Sequence, residues 1–352
     1  MNITFETSLV YDDILIFPSR YDDSLYEFSY KTQECNEIRT FTTGVSVNNP
    51  LYGSIQEYKG QYFLAPLFGE CILVYDTINN ITKKITLDNI PHCGDAFFES
   101  FIDENILYMV PGTYDAIVEL NLDNYEILYH KDVIADIRKT INGKLVRHGI
   151  TFVGRRAYLA IIKTNIILEI DCQTKRISLL KANGYDWHFT SVCDSLNDDC
   201  INVLCDNGDV IEFNTSKKEW KVLFYNKFES TNPDTEYYEI VQKDENLWIF
   251  PRWGNTILCF DTYKQKVYLI TQGYPLDIVC VKKIKDFIIL SDKDNDRIIT
   301  LSVKDKKIIN NIKFNKQGDK ILSESLLEKD TNLYIEDEIN SLPQFLKNIV
   351  RY

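Results

Sequence analysis

The stretch Asn246-Leu-Trp-Ile-Phe-Pro251-Arg-Trp-Gly-Asn255 is a short apolar run that ends in a proline and a polar turn. Two more runs follow it, Thr256-Ile-Leu-Cys-Phe-Asp261 and Lys266-Val-Tyr-Leu-Ile270, and residues 237–242 form another just before it. All four are rich in β-branched and aromatic residues and are separated by turn-forming residues, which is typical of strands joined by tight turns. We name them strands a to d. They predict a four-stranded antiparallel sheet.

The same unit recurs along the chain. Aligning the copies on the end of strand b gives seven positions, spaced 40 to 50 residues apart: Pro18, Pro66, Pro111, Ile161, Cys205, Pro251 and Ser291. Strand c is the most regular run, as in Ile72-Leu-Val-Tyr75 and Val210-Ile-Glu-Phe213. Four short antiparallel strands at this period are typical of a propeller blade, whose two apolar faces need a neighbour on each side. The sequence therefore predicts an all-β fold, a seven-bladed β-propeller, with six or eight blades as the alternative.

The predicted domain organisation is one propeller over residues 1–314 and a C-terminal tail over residues 315–352. The blades are expected at about residues 1–43, 51–89, 95–131, 146–182, 188–226, 236–272 and 276–314. Strand a of the first blade is predicted at about residues 3–10. All blades can then be filled in chain order without a strand lent from one end of the chain to the other, in which case side-chain packing would hold the seam.

The repeat resembles a known one in three features. Strand b carries an aromatic residue in its middle, as at Tyr62, Tyr108 and Trp248, a tight turn follows, and a last strand carries Trp220 in Glu-Trp-Lys-Val-Leu. In these features the chain resembles the Kelch repeat over about residues 1–314. Four copies have proline at the end of strand b, where Kelch repeats usually have a Gly-Gly pair. The resemblance implies a divergent Kelch-like propeller.

Two segments depart from the strand pattern. Residues 132–142 place Val133, Ile134, Ile137 and Ile141 at helical spacing between an N-capping Asp132 and Gly143, so we predict a short inserted helix there. It either covers an apolar gap or forms a lid beside a ligand cleft. Residues 341–352 predict an amphipathic C-terminal helix that packs on the propeller or, alternatively, contacts a partner.

Composition restricts the class of partner and compartment. The chain has 352 residues, of which 39 are Lys or Arg and 52 are Asp or Glu, for a net charge of −13. Such a chain repels phosphate backbones, so we expect no nucleic-acid partner. The first residues show no secretory signal and no run is long enough for a bilayer, so no membrane partner is expected. Nine cysteines, mostly inside apolar strands, indicate a cytoplasmic protein. No cofactor or metal motif is present.

Candidate binding residues cluster in the loops of one face. In propellers the b–c and d–a loops meet around the mouth of the central channel, which we call the top rim. Flat side chains with fixed polar ends suit peptides and sugars. The candidate ligand-binding residues are Arg20, Tyr21, Phe68, Tyr114, Lys163, Trp187, His188, Tyr238, Arg252 and Trp253.

Two histidines support an enzymatic alternative. His148 and His188 fall at equivalent points where strand a enters the channel, and Asp186 is close in sequence. Together they could act in acid–base chemistry, with or without a divalent metal. The leading hypothesis is a non-catalytic scaffold that binds a protein, peptide or glycan on the top rim and central channel. The alternative is a propeller lyase or hydrolase that uses the channel histidines.

Overall fold

A computed structural model describes residues 1–42, 49–90, 94–139, 141, 143–147, 149–183, 186–227, 236–318, 320–326 and 337–338. His148 and the predicted C-terminal helix lie outside the described residues. None of the helices within the described ranges combines the length and apolarity that crossing a bilayer requires.

Five sheets consist of four antiparallel strands each, paired in chain order. Strands are numbered along the chain, and β1 (Asn2–Ile3) belongs to a sixth sheet. The first and second sheets contain β2 (Leu9–Tyr11), β3 (Ile14–Pro18), β4 (Ser24–Ser29) and β5 (Glu34–Thr40), then β6 (Tyr52–Tyr58), β7 (Gln61–Pro66), β8 (Cys71–Asp76) and β9 (Ile81–Thr86). The third and fourth contain β10 (Phe97–Asp103), β11 (Ile106–Pro111), β12 (Ile117–Asn121) and β13 (Ile127–His130), then β14 (Ile150–Val153), β15 (Arg156–Ile161), β16 (Ile166–Asp171) and β17 (Arg176–Lys181). The fifth contains β18 (Phe189–Asp194), β19 (Cys200–Cys205), β20 (Val210–Asn214) and β21 (Glu219–Phe224).

The sixth sheet has nine strands. Besides β1 it contains β22 (Glu236–Lys243), β23 (Asn246–Asp261), β24 (Lys266–Ile284), β25 (Phe287–Asp292), β26 (Arg297–Ser302), β27 (Lys307–Gln317), β28 (Lys320–Ser325) and β29 (Asp337–Glu338). Two four-stranded sets are recognisable in its pairing. β22 pairs with the first half of β23, whose second half pairs with the first half of β24, while the second half of β24 pairs with β25 and onward to β27. The pairs Arg252↔Asp277 and Gly254↔Leu276 join the two sets, which the sequence predicted as separate sheets.

The apolar core lies between neighbouring sheets. Phe63 and Val74 of the second sheet pack with Leu107 and Val118 of the third. Clusters of the same kind join the first sheet to both the second and the last, so the sheets form a closed ring. Each sheet buries both of its apolar faces in this way, because each face packs against a neighbouring sheet. The predicted side-by-side packing is confirmed.

The ring closure differs from the prediction. Asn2 and Ile3 pair with Asn315 and Phe314 of β27, so the N-terminal residues extend the last sheet. The first sheet begins only at Leu9, and its strand a has three residues instead of the predicted eight. The ring therefore closes with a short strand that the N-terminal residues add to the last sheet. Backbone hydrogen bonds across the seam satisfy polar groups that side-chain packing alone would leave unpaired.

The chain also continues as strand after residue 314, where the sequence analysis ended the blades. β27 runs on to Gln317, and β28 (Lys320–Ser325) returns along it as an added hairpin strand. The described part of the tail is therefore β-structure. The short β29 pairs with Lys266 and Val267 of β24.

A helix occurs where one was predicted, but it is shorter. α1 spans Lys131–Arg138, with His130 and not Asp132 at its N-cap position and no side-chain cap. Asp132 lies instead in the first turn, where its charge complements the helix dipole. Ile134 and Ile137 are buried in the apolar cluster between the third and fourth sheets. The helix therefore packs its apolar side chains against these two sheets.

Candidate functional site

The centre of the ring holds two adjacent cavities. The upper one, which we call the rim pocket, has a volume of about 180 Å³ and is lined by Arg20, Lys144, Arg147, Tyr238, Arg252 and Lys293, among others. The lower one, the inner cavity, has a volume of about 440 Å³ and is lined by Glu99, Gly149, Asp194, Glu239, Cys280 and Lys282, among others. Two successive residues of β22 face different cavities: Tyr238 lines the rim pocket and Glu239 lines the inner cavity.

β-Bulges place the polar side chains of the inner cavity. In five of the four-stranded sets, the pairing between the first and second strands shifts in register. The residues directly after the shift are Ser54, Glu99, Ser191, Glu239 and Cys280. A bulge redirects the side chain that follows it and increases the local twist. These residues therefore occupy equivalent positions around the channel.

The same register corrects the sequence alignment at one point. The residue before the bulge pairs with the end of the second strand, as in Tyr52↔Pro66 and Tyr237↔Pro251. Between the second half of β24 and β25, the corresponding pair is Ile278↔Asp292. Asp292, and not Ser291, is thus the equivalent of the prolines.

Cations dominate the rim pocket. Arg20 forms an ion pair with Glu6, and Lys144 Nζ lies 2.7 Å from Asp95 Oδ2. Arg252 Nε and Lys293 Nζ share Asp277, at 3.3 Å and 3.8 Å from its two carboxylate oxygens. Arg147 has no ion pair with a carboxylate among the described residues, and its Nε–H is buried without an acceptor there. Five cations thus face three carboxylates, in a chain whose net charge is −13.

Tyr238 lies between two of these cations. The guanidinium carbons of Arg147 and Arg252 are 5.0 Å and 5.3 Å from the centre of its ring, and Arg252 is also 4.4 Å from the ring of Trp253. Stacking of guanidinium groups on aromatic faces fixes their planes without consuming their N–H donors. Donors that point into the pocket are therefore held in place.

Glu239 and Glu99 dominate the inner cavity. Ser191 Oγ donates a hydrogen bond of 3.0 Å to Glu239 Oε1, while Glu239 Oε2 is buried with no hydrogen-bond partner in the described part of the chain. Burial raises the pKa of Glu239 to about 8, with the charge of Glu99 adding to the effect. Glu99 accepts hydrogen bonds of 3.2 Å from the N–H groups of Ser100 and Gly149, and desolvation raises its pKa as well.

Lys282 is the cation of this cavity. Burial alone would lower its pKa, but Cys280, Glu99 and Glu239 together outweigh burial, and the pKa of Lys282 is raised. At the outer end Lys283 Nζ lies 3.1 Å from Asp194 Oδ2. The two glutamates and Lys282 form a coupled group, with one carboxylate oxygen of Glu239 still able to bond a ligand.

Four of the ten predicted ligand-binding residues converge on the rim pocket: Arg20, Phe68, Tyr238 and Arg252. Trp253 flanks it beside Arg252, with 41% of its surface exposed. Tyr21 OH donates to Asp296 Oδ1 at 2.5 Å, and Lys163 forms an ion pair of 2.9 Å with Glu236. These two side chains lie on the rim but not in the pocket lining.

Tyr114 and Trp187 pack against other aromatic rings. Tyr114 is only 3% exposed, lies 4.9 Å from the ring of Phe97, and donates a hydrogen bond to the carbonyl of Asp88. The ring and hydroxyl of Tyr114 thus make contacts within the chain, and its ligand-binding role stays a prediction. Trp187 is half-buried and packs on Trp220 at 6.2 Å.

His188 lies on the exposed rim. Its Nδ1 is 3.4 Å from Asp206 Oδ2 and its Nε2 is 3.8 Å from Asp186 Oδ1, and the Asp186 carboxylate is fully exposed. His148 falls outside the described residues, so the proposed histidine pair stays a prediction. Among the described residues, no three His, Cys, Asp or Glu side chains are grouped so as to hold a metal ion.

Sequence reasoning missed several lining residues. Lys144, Lys282 and Lys293 were not among the candidate residues. Glu99 was also missed, and it lies two residues after Phe97 just as Glu239 lies two residues after Tyr237. A charged residue at one equivalent position in two copies of the repeat was the available signal, and only an alignment on the first strand would have shown it.

No protein-family model and no curated protein sequence matches this chain. Solved structures do resemble it. One is virginiamycin B lyase from Staphylococcus aureus, with a TM-score of 0.61, 14% identity and coverage of 83% of this chain and 94% of that one. The chain folds as a β-propeller. YCF48 bound to D1 peptide (TM-score 0.58, 10% identity, 83% and 91% coverage) and Hsv2 from Kluyvelomyces marxianus (0.53, 11%, 92% and 98%) are two further propellers similar to it.

These propellers include an enzyme and a protein that binds a peptide. At such low identity the likeness concerns the fold alone and transfers no residue. A ligand-binding role fits the fold, and the residues of this propeller's own channel have to specify the ligand.

Proposed function

We propose that this protein is a seven-bladed propeller that binds a protein or peptide ligand at its top rim. Five blades are the four-stranded sheets, and the nine-stranded sheet supplies two more, which meet at Arg252↔Asp277. The inner blade bounds and the Kelch-like character of the repeat are those proposed from the sequence, whereas β1, the end of β27 and β28 add to the last blade. A cytoplasmic location is part of the proposal, and the free thiols of the eight described cysteines support it.

The rim pocket is the observation that carries this function. It combines a concave opening, stacked Arg147–Tyr238–Arg252 side chains and an exposed tryptophan beside them. Aromatic residues and arginine are enriched where protein interfaces gain most of their binding energy. The stacking holds these side chains rigid before a ligand arrives, which lowers the entropic cost of binding.

The size of the pocket favours a segment of chain over a whole small molecule. About 180 Å³ lies below the range of roughly 300–1,000 Å³ that is usual for small-molecule sites. It suits one side chain of a larger ligand that also contacts the surrounding rim. The peptide bound by the similarly folded YCF48 supports this choice of ligand class.

Selection from a random peptide library tests the function. We expect peptides with micromolar affinity, and we expect Trp253→Ala to weaken them at least tenfold, because central aromatic contacts cost about 1–4 kcal/mol when truncated. Tyr263→Ala is the matched control, since Tyr263 is 88% exposed on a distant turn. The same panel includes a glycan array.

Equal loss of binding in both variants, or no loss in either, would show that the ligand does not bind at the top rim. Binding of glycans alone would replace the peptide by a sugar. Turnover of a captured ligand that disappears in His188→Ala would favour the enzymatic alternative instead.

A further inference from the structure

We infer that the rim pocket accepts a carboxylate, supplied by an Asp or Glu side chain of the ligand. This inference rests on the proposed function, because it names the group of the protein or peptide ligand that enters the pocket. It gives the acidic chain one local site where a negative charge is favoured.

The charge balance of the pocket is the first argument. The ion pairs of its lining cations use three carboxylates of the protein itself, those of Glu6, Asp95 and Asp277. Asp277 is 1% exposed and is shared by Arg252 and Lys293. One carboxylate therefore serves two cations, and the pocket keeps an excess of positive charge that a ligand can balance.

Arg147 is the second argument. Within the described residues it has no carboxylate partner, its Nε–H lacks an acceptor, and its guanidinium lies 5.0 Å from the Tyr238 ring centre. A buried, unsatisfied N–H on a charged group is costly unless something bonds to it. An incoming anion removes that cost. Arg147 also lies on the segment that leads to Gly149, at the boundary between the two cavities.

The form of the donors suits a carboxylate. Three of the five cations are arginines, whose planar fork matches two carboxylate oxygens. The pocket's small volume also favours a small group.

Two measurements test the inference. The first needs no peptide: acetate replaces chloride at constant ionic strength, and the melting temperature is followed. We expect acetate to raise it by about 2 °C or more in the wild type and in Arg176→Gln, whose site lies on an exposed outer strand, but not in Arg147→Gln. Arg147→Lys should show part of the effect.

The second measurement uses library peptides with free and with amidated C-termini. We expect one acidic position whose change from Asp to Asn weakens binding at least tenfold in the wild type and less than threefold in Arg147→Gln. Lys293→Gln replaces that variant if Arg147→Gln does not fold. An equal acetate response in all variants, or peptides that need no acidic residue, would overturn the carboxylate site.

The remaining outcomes separate the alternatives. Loss of binding on amidation would move the carboxylate from a side chain to the peptide's C-terminus. Tighter binding of phosphoserine than of aspartate would overturn the choice of carboxylate. An acetate response that depends on Arg147, without any peptide being selected, would keep the anion site and refute the proposed function.

Discussion

The rim pocket and the inner cavity share the same strands but differ in how their charges are supported. In the rim pocket most cations come from loops and strand ends, and side-chain ion pairs hold them. In the inner cavity the charges come from bulged strands, and Glu99 is held by backbone N–H groups at 3.2 Å. One step along β22, from Tyr238 to Glu239, separates the two. The difference shows that this channel offers a positive entrance above a carboxylate-rich interior.

The support also decides what each region can tolerate. A long side chain on a loop can move when its partner is removed, and water can replace the partner. A carboxylate fixed by strand backbone cannot move away from its neighbours. We therefore expect changes at the boundary of the inner cavity to affect stability most, and changes among the rim cations to affect mainly binding.

Gly149→Ala should lower stability most, because Gly149 lies at the boundary between the two cavities. Gly149 has φ of +103°, and a Cβ there would overlap Ser191 Oγ, which bonds Glu239. Backbone strain and the displaced serine should together lower the free energy of unfolding by about 2–4 kcal/mol in urea titrations.

Gly143→Ala is the control for that variant. Gly143 also has φ of +103°, but nothing lies within 4 Å of the position that a Cβ would take, so only the strain of about 1 kcal/mol should remain. Equal losses in the two variants would mean that the contact with Ser191 does not matter.

A comparison of Arg252→Ala with Arg147→Ala tests the rim cations, and we expect a loss of stability of intermediate size. Removing Arg252 leaves the buried Asp277 with Lys293 alone, at 3.8 Å, and should cost about 2 kcal/mol of unfolding free energy. Removing Arg147, which has no carboxylate partner within the described ranges, should change stability by less than about 0.5 kcal/mol. A larger loss for Arg147 than for Arg252 would contradict the pairing described above.

Glu239→Gln should have the smallest effect at acidic pH and a larger effect as the pH rises. Since burial raises the pKa of Glu239 from 4.5 to about 8, the folded protein keeps a proton between those values that the unfolded chain has lost. Its contribution to stability is therefore greatest below pH 4.5 and falls as pH rises to about 8. Glutamine, which stays neutral, avoids that loss.

Thermal unfolding from pH 5 to pH 9 measures this contribution. The variant should match the wild type near pH 5 and become more stable than the wild type as the pH rises to 9. Glu34→Gln, on the exposed strand β5, is the control and should follow the wild type throughout. A Glu239→Gln variant that is less stable at pH 9 would show that the charged carboxylate is needed there.

Much of the fold was predictable from residue order. Runs such as Ile72-Leu-Val-Tyr75 became strands with nearly the predicted bounds, since apolar residues between turn-forming ones specify a strand locally. Ring closure was not predictable, because Ile3 and Phe314 pair across almost the whole chain. The packing of Tyr114 was not predictable for a similar reason, because its contact with the ring of Phe97 depends on how the sheet folds.

Residue order was enough to specify the repeating four-stranded sheet and the side of the ring where Arg20, Phe68, Tyr238 and Arg252 meet. Those features follow from local patterns, which depend on residues close together in the chain. Only folding determines which charged groups lie near each other, such as Arg147 and Arg252, which both contact the ring of Tyr238. Radial packing brings the ends of distant strands to one axis, and bulges in those strands choose which side chain points inward.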